Sequence, residues 1–358
     1  MQPTPQPIAD ILELARWAPS GDNTQPWRFE ILDEYHLIVH AFDTRDHCIY
    51  DLDGHPSQIA LGTLLETLAI AASANGLMAE FSRHPGSPDT HPDYLVSLIP
   101  DSQLPPDPLL PYIKQRSVQR RSMHTIALTE PQKKILQSAV GKHYTVRWFE
   151  GWMQRWQMAN LMFDNAKLRL TLPEAYSVHR NIIEWKARFS EDRVPDQALG
   201  LDAMTLKLMR WVMSSWQRVS FFNTYLAGHI VPRIEMDLFP GLFCAAHFAI
   251  VADEIPTTID HYVATGRAVQ RFWLTATSLG LQLQPEMTPV IFSRYARDGR
   301  IFSRLPGAME TATHFGARLS DLLQNDAVEQ AVFLGRIGNG RSAASRSLRL
   351  PTQKLLQL

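Results

Sequence analysis

The sequence contains few cysteines and no excess of either charge. Among 358 residues only Cys48 and Cys244 are cysteines, and their wide separation suits neither a disulfide framework nor a metal site. We therefore expect two free thiols and a reducing compartment. The 35 basic residues nearly balance the 36 acidic ones, so there is no positive surplus of the kind that drives nucleic-acid binding. The composition thus excludes the disulfide-rich and the strongly basic nucleic-acid-binding classes.

Long apolar runs and a targeting segment are also missing. No uncharged apolar run approaches the roughly 18 to 20 residues that a membrane span needs, and the opening residues MQPTPQP lack the basic and apolar regions of a signal peptide. The 13 histidines are scattered without metal-ligand spacing, so we expect no metal site. These absences predict a soluble, cytoplasmic protein with no membrane partner, and the length allows two structural units.

Residues 15–30, ARWAPSGDNTQPWRFE, join an apolar helical pattern to a strand pattern through a short polar segment. Pro19 and Pro26 disfavour helix at the residue before each of them, so the segment between them should form a shaped loop. Ser20, Asn23 and Gln25 carry hydroxyl and amide groups that suit a polar heterocycle. An ordinary helix-to-strand turn is the alternative, and composition alone does not decide between a binding loop and a turn.

Two apolar helical segments, near residues 57–77 and 262–287, share a pattern of small residues. At one constant offset, Gly62 aligns with Gly266 and Ala72 aligns with Ala276. The flanking segments also correspond, because residues 11–30 resemble residues 135–150, in which the polar loop is missing. We interpret the chain as a diverged internal duplication, the alternative being a chance match of two buried helices.

Arginines cluster ahead of a predicted helix, where Arg116 and Arg120 lie on either side of Ser117. Guanidinium groups bind phosphate through paired N–H donors, and the serine hydroxyl adds another donor, so this segment suits a monophosphate. A solvated basic turn is the alternative. Arg346 and Arg349, near the end of the chain, are further candidates for the same phosphate.

Together these segments resemble the FMN-dependent nitroreductase family. The family's Pro-Ser-x-x-Asn-x-Gln-Pro-Trp motif is matched throughout residues 19–27, its phosphate-binding Arg-Ser-x-x-Arg element at residues 116–120, and its C-terminal phosphate arginine at Arg349. The segment after the second buried helix resembles the part of the family whose backbone approaches the reactive edge of the flavin. The resemblance implies FMN as cofactor and the following cofactor-binding residues: Pro19, Ser20, Gly21, Asn23, Gln25, Arg116, Ser117, Arg120, Pro285, Glu286, Met287, Arg346 and Arg349.

The resemblance also implies an α+β nitroreductase-like fold, with a central, mostly antiparallel sheet, buried helices and two related halves. Ordinary members begin with the arginine element and form homodimers with two flavins at the interface. Here the polar loop comes before the arginine element, and each of the two occurs once. A fused pseudo-dimer with one flavin site accounts for this arrangement. We expect a first half at residues 1–110, a second half at residues 111–358, and a chain that can remain monomeric.

Residues 151–240 lie outside the resemblance and are rich in tryptophan and methionine at helical spacing. Core packing accounts for such a pattern, but the position of the segment also makes it a candidate lid over the flavin. Contact of residues 206–219 with a membrane surface is a further alternative, although few basic residues accompany it. Some large family members have a lid and little reductase activity, and others accompany adenylyl-transferring enzymes of the ubiquitin-activating type.

The reaction implied is hydride transfer from NAD(P)H through FMN to a nitro compound, a quinone or a similar acceptor. The flavin carries the redox chemistry, so no side chain is expected to act as a catalytic acid or base. The alternative is a protein that stores or sequesters FMN, or that serves a partner enzyme, beneath a closed lid. A structural relic without cofactor is disfavoured, because the chain retains both the loop and the arginine element.

Overall fold

The computed structural model of the chain describes residues 6–324 and 327–357, which form an α+β fold. The first part contains helix α1 (Gln6–Ala15), strands β1 (Trp27–Ile31) and β2 (His36–Ala41), helix α2 (His55–Ser73) and strands β3 (Leu77–Arg83) and β4 (Asp93–Pro100). Its strands form an antiparallel sheet in the order β1-β2-β4-β3. Strands β1 and β2 form the hairpin that the alternating apolar pattern predicts, with Trp27 opposite Ala41.

An irregular segment, residues 101–129, follows the first sheet and begins with a proline-rich stretch. It leads to helix α3 (Glu130–Ala139) and strand β5 (Tyr144–Phe149). A capping box begins α3: Gln132 N donates to Thr129 Oγ1, and Thr129 N donates to Gln132 Oε1. The local sequence therefore determines where this helix starts.

Residues 151–242 form a largely helical insertion after β5. Its elements are α4 (Gly151–Thr171), α5 (Pro173–Ile182), β6 (Ile183–Glu184), β7 (Phe189–Ser190), β8 (Val194–Pro195), α6 (Ala203–Val212), α7 (Trp216–Tyr225), α8 (Ile230–Arg233) and α9 (Phe239–Leu242). Met158 and Met162 are buried, whereas Trp152, Met204 and Trp211 are exposed. Core packing therefore accounts for only part of the tryptophan- and methionine-rich pattern. No helix within the described ranges is both long and apolar enough to cross a membrane.

The rest of the chain completes a second sheet. It contains β9 (Ala246–Ala252), α10 (Ile259–Ser278), β10 (Leu281–Pro285), α11 (Thr288–Arg297), α12 (Ala308–Leu323), β11 (Ala331–Asn339), β12 (Arg346–Ser347) and α13 (Thr352–Leu355). Strands β10, β11, β9 and β5 pair antiparallel in that order. The described residues thus build two four-stranded antiparallel sheets instead of one central sheet, because each half of the chain pairs its own strands.

The two sheets have the same connectivity. The elements of the first half follow one another as α1, β1, β2, α2, β3 and β4. Those of the second half follow in the same order of helices and strands, as α3, β5, β9, α10, β10 and β11. In both sheets the third strand in sequence forms an edge and the fourth lies between it and the second. The insertion occupies the place of the short turn between β1 and β2, and α11 and α12 lie between the last two strands.

Helices α2 and α10 pack against each other, and each also packs on the sheet of its own half. Gly62 and Gly266 lie at the crossing. A Cβ atom on Gly62 would lie 2.8 Å from Gly266 Cα and would collide with the carbonyl oxygen of Val263. Likewise, a Cβ atom on Gly266 would lie 2.7 Å from Gly62 Cα and would collide with the carbonyl oxygen of Ile59. The crossing therefore requires glycine in both helices, and the contact is symmetric at the offset seen in the sequence.

The end of the chain returns to the first half. Leu356 pairs with Phe29 beside β1, Gln357 N donates to Phe29 O at 2.8 Å, and Leu355 is buried in the core of the first sheet. The C-terminal segment therefore crosses from the second sheet to the first. This crossing carries Arg346 and Arg349 past the boundary between the halves.

Candidate functional site

A cavity of about 760 Å³ lies between the two halves and beneath the insertion. Its wall includes all four segments that the sequence singles out: the polar loop, the arginine element, the end of β10 and the C-terminal arginines. The predicted cofactor-binding residues that line it are Pro19, Ser20, Gly21, Asn23, Arg116, Ser117, Arg120, Pro285, Met287, Arg346 and Arg349. Gln25 and Glu286 lie behind this wall and do not line the cavity.

The polar loop, residues 19–26, has an uncommon backbone conformation. Asp22, Asn23 and Gln25 have positive φ angles of 51°, 64° and 48°. This region is unfavourable for residues other than glycine, and such residues concentrate at functional sites. Ser20 Oγ accepts a hydrogen bond from Gln25 N at 2.9 Å, which closes the loop on itself. The segment is thus a specifically shaped loop with a polar rim, not a regular turn.

The Gln25 side chain points into the protein, not into the cavity. Its Oε1 accepts from Leu350 N at 2.9 Å, its Nε2 donates to Glu191 O at 2.9 Å, and the residue is fully buried. Gln25 therefore ties the loop to the C-terminal segment and to the insertion. In this structure its role is to position the loop.

Asn23 connects the loop to the insertion and leaves one polar atom unpaired. Its Nδ2 donates to Glu191 O at 3.1 Å and to Arg193 O at 3.3 Å. Its Oδ1 is buried and has no hydrogen-bond partner among the described residues. Such an unpaired acceptor costs about 1 to 3 kcal/mol. A ligand N–H group beside the loop would remove this cost.

Arg116, Arg346 and Arg349, here called the arginine group, bring three guanidinium groups to the cavity wall. Arg116 and Arg349 are only 3% and 7% exposed. Burial, with the nearby charges of Arg349 and Arg346, lowers the pKa of Arg116 well below its usual range. Burial, with Arg346 and Arg16, lowers the pKa of Arg349 to about 9. The arginine group therefore lacks compensating negative charge.

Main-chain carbonyls, not carboxylates, hold the arginine group. Its members donate hydrogen bonds of 2.9 to 3.1 Å to the carbonyl oxygens of Trp17, Lys114 and Ala18. Within the described ranges no carboxylate pairs with any of the three, and the Nε atoms of Arg116 and Arg346 are buried without a partner. An uncompensated buried charge is strongly unfavourable. A phosphate would supply both the missing acceptors and the missing charge.

Arg120 lies in different surroundings from the arginine group. Its Nη1 donates to Ala198 O of the insertion at 3.3 Å. Burial lowers the pKa of Arg120 to about 10, an effect that Asp22 opposes and Arg336 reinforces. The predicted phosphate element is therefore divided, with Arg116 beside the C-terminal arginines and Arg120 beside the insertion.

A buried charged group lies behind Pro285. Glu286 Oε2 is 2.7 Å from His247 Nδ1, Glu286 Oε1 accepts from Arg336 Nη1 at 2.7 Å, and Arg336 Nη2 donates to Arg120 O at 2.8 Å. Although burial opposes the charged imidazole, Glu286 raises the pKa of His247 to about 10. The group therefore links the end of β10 to the backbone of the arginine element. Sequence reasoning missed its interactions, because the three side chains are far apart along the chain.

The insertion and Tyr50 of the first half bring further polar groups to the cavity. Tyr50 Oη and His179 Nε2 are 2.8 Å apart, and Arg169 Nη2 donates to Asp237 Oδ1 at 3.1 Å. All four residues line the cavity. Burial and the charge of Arg169 lower the pKa of His179 to about 3, so its imidazole is neutral near pH 7, and burial raises the pKa of Asp237 to about 6. No local sequence pattern indicates this group.

Hydrogen bonds hold the insertion on the segments that it covers. Strand β7 pairs in parallel with β12, and Ser347 Oγ donates to Arg193 O at 2.9 Å. Arg121 donates to Gly200 O at 3.1 Å and to Leu201 O at 3.3 Å. The insertion therefore forms one wall of the cavity and contacts both the arginine element and the C-terminal segment.

No protein-family model matches the chain, and no curated protein shows a significant match. Among solved structures, the chain is similar to a nitroreductase-like family protein from Bacillus cereus, with 13% sequence identity and a TM-score of 0.35. The match covers 70% of this chain and 96% of that chain. At so low a TM-score the likeness carries no argument about the function of this chain.

Proposed function

We propose that the chain binds FMN in the cavity and acts as a flavin-dependent oxidoreductase. The observation that carries this proposal is the arginine group, which is buried or half-buried and has no carboxylate partner among the described residues. A phosphate monoester is the ligand chemistry that such a group favours. The cavity of about 760 Å³ is far larger than a phosphate needs, and FMN joins a phosphate to a large planar heterocycle.

The residues present fit such a cofactor. The arginine group would hold the phosphate, and the polar loop would hold the polar edge of the ring through the unpaired Asn23 Oδ1. A Cβ atom on Gly21 would meet nothing within 4 Å, so there is free space beside the loop. Pro285 and Met287 supply an apolar surface on the opposite half of the chain.

Bound FMN would supply hydride transfer from NADH or NADPH to a nitro, quinone or similar acceptor. The residues of the chain would bind and orient the reactants, and the insertion would exclude water from the cavity. Tyr50 of the first half and neutral His179 of the insertion offer hydrogen-bonding groups to the cavity. No side chain needs to act as a catalytic acid or base.

The proposal includes an internal duplication that forms a pseudo-dimer with one flavin site. The shared strand order of the two sheets and the symmetric contact of Gly62 with Gly266 support the duplication. The first half has the polar loop between α1 and β1. At the corresponding place the second half has only residues 140–143, between α3 and β5. The second half therefore has no counterpart of the loop for a second flavin.

One observation favours a second function, the sequestration of FMN. The hydrogen bonds from Asn23 and Arg120 to insertion carbonyls hold the insertion over the cavity. If the insertion stays closed, a nicotinamide donor has no access to the ring. Sequestration and catalysis then differ in turnover, not in flavin binding.

The absorption spectrum of the purified protein, followed by addition of NADH or NADPH and a quinone, tests the proposal. We expect flavin absorbance, or uptake of added FMN by the apoprotein, and quinone-dependent oxidation of the nicotinamide. A protein that takes up no FMN refutes the proposal. A protein that takes up FMN but shows no bleaching by either nicotinamide supports sequestration instead.

A further inference from the structure

Helices α6 and α7 of the insertion present an exposed apolar surface, here called the α6–α7 face. Its side chains include Met204, Trp211 and Tyr225, which are 81%, 51% and 72% exposed, together with Leu208 and Phe221. In α6, Met204, Leu208 and Trp211 follow one another at intervals of four and three residues, so they lie on one side of the helix. A contiguous apolar patch of this kind marks an interaction surface.

The charge of this segment is of one sign. From Ala203 to Ile234 the sequence contains no Asp or Glu. Lys207 and Arg218 are exposed, and the guanidinium of Arg218 lies 4.6 Å from the centre of the Trp211 ring. Apolar and aromatic side chains accompanied only by cations are typical of helices that lie in the headgroup region of an anionic bilayer.

The cavity opens through the α6–α7 face. Met204, Leu208, Leu226 and Val231 line the cavity, and each is also at least 50% exposed. The exposed part of the cavity lining is therefore largely apolar, although Asn223 and His229 of the same segment also line the cavity. A mouth of this composition suits an apolar compound that arrives from a lipid phase better than a charged compound that arrives from water.

We propose that the chain docks on an anionic lipid surface through the α6–α7 face, with the cavity mouth towards the bilayer. A lipid-dissolved quinone then enters the cavity directly and is reduced to the quinol. A hydride equivalent from NADH or NADPH, which is thereby oxidised, supplies both electrons and one proton, and solvent supplies the second proton of the quinol. The docking step is independent of the flavin, whereas the quinone step rests on the proposed function.

This proposal differs from the expectation, drawn from the sequence, that the protein has no membrane partner. That expectation rested on the absence of a spanning segment and on the small number of basic residues near residues 206–219. The structure adds two facts: apolar side chains of α6 and α7 are exposed, and two of them, Met204 and Leu208, also line the cavity. A surface-bound helix pair needs neither a span nor a long basic run.

Co-sedimentation of the full chain with lipid vesicles tests the docking step. We expect binding to vesicles of equal parts phosphatidylglycerol and phosphatidylcholine, and binding at least about tenfold weaker to phosphatidylcholine alone. The double variant Trp211→Ser/Phe221→Ser removes apolar area, and Lys207→Glu reverses a charge. Each should weaken binding to the anionic vesicles by about tenfold or more. Ile301→Ser is the matched control, because Ile301 is 78% exposed and lies outside the face.

The outcomes separate docking from flavin chemistry. Failure of the wild-type chain to bind anionic vesicles overturns the docking step, as does equal weakening by Ile301→Ser. A wild-type dimer that the double variant dissociates, without vesicle binding, assigns the face to a second copy of the chain and also overturns it. If the chain binds vesicles but takes up no FMN, docking stands and the proposed function fails.

The quinone step has its own comparison. For the FMN-loaded chain, Lys207→Glu should slow reduction of a long-chain quinone held in anionic vesicles about tenfold. It should leave reduction of a short, water-soluble quinone unchanged, because Lys207 does not line the cavity. Equal effects on the two quinones would overturn the route from the bilayer.

Discussion

Replacing Arg349 by alanine removes one of the three charges of the arginine group. The Arg349 guanidinium donates to Ala18 O at 2.9 Å and has no carboxylate partner among the described residues. If it also donates to the FMN phosphate, the lost charge-assisted hydrogen bond is worth about 1.5 to 3 kcal/mol. The dissociation constant for FMN should then rise by about ten- to a hundredfold.

Riboflavin, which lacks the phosphate, provides the internal reference for this variant. We expect its affinity to be nearly equal for the wild type and for Arg349→Ala, so that the ratio of the two affinities changes. The stability of the apoprotein should change little, because the loss of the two hydrogen bonds to Ala18 O and Leu348 O is offset by reduced repulsion from Arg116 and Arg346. Arg318→Ala is the matched control, since the charge of Arg318 is paired with Asp164 at 2.7 Å and Arg318 does not line the cavity.

The assay is a fluorescence titration of the apoprotein with each flavin. A variant that loses as much affinity for riboflavin as for FMN would show that Arg349 has a structural role only, and the phosphate assignment would then be wrong.

Four further variants test the fold and the site. Trp27→Ala should destabilise the apoprotein by about 3 to 5 kcal/mol in chemical denaturation, since the ring is fully buried. Asn23→Ala should instead weaken FMN binding by about 1 to 3 kcal/mol. Unchanged FMN affinity would show that the loop only turns the chain and does not bind the cofactor. Gly62→Ala should lower the free energy of unfolding by about 1 to 3 kcal/mol or more, because the added Cβ would collide with the facing helix α10. Gly21→Ala, whose Cβ meets nothing within 4 Å, is its control. His247 has a folded-state pKa raised from 6.5 to about 10, so its contribution to stability is complete below pH 6.5 and is lost as the pH rises to about 10. His247→Asn should flatten the pH dependence of unfolding, and an unchanged profile would contradict the assignment.

Features that depend on residues close together in the sequence were predictable. The capping box at Thr129 depends on residues three positions apart, and the β1–β2 hairpin depends on alternating apolar residues around a polar turn. The alignment of Gly62 with Gly266 indicated a duplication only, and the structure adds that the two helix backbones touch at these positions.

Features that depend on distant contacts were not predictable. The direction of the Gln25 side chain depends on Glu191 and Leu350, which only the folded chain brings to the loop. Glu286 was predicted beside the cofactor from its position after Pro285, but its ion pairs with Arg336 and His247 turn it inward. The division into two sheets likewise depends on strand pairing within each half, which local patterns do not specify.

The stoichiometry of FMN binding tests the central claim most directly. Titration of the apoprotein with FMN, followed by the change in flavin fluorescence, should saturate at one FMN per chain, because the polar loop and the arginine group together form a single site in the described fold. Saturation at two FMN molecules per chain, or no saturable binding, would contradict the account.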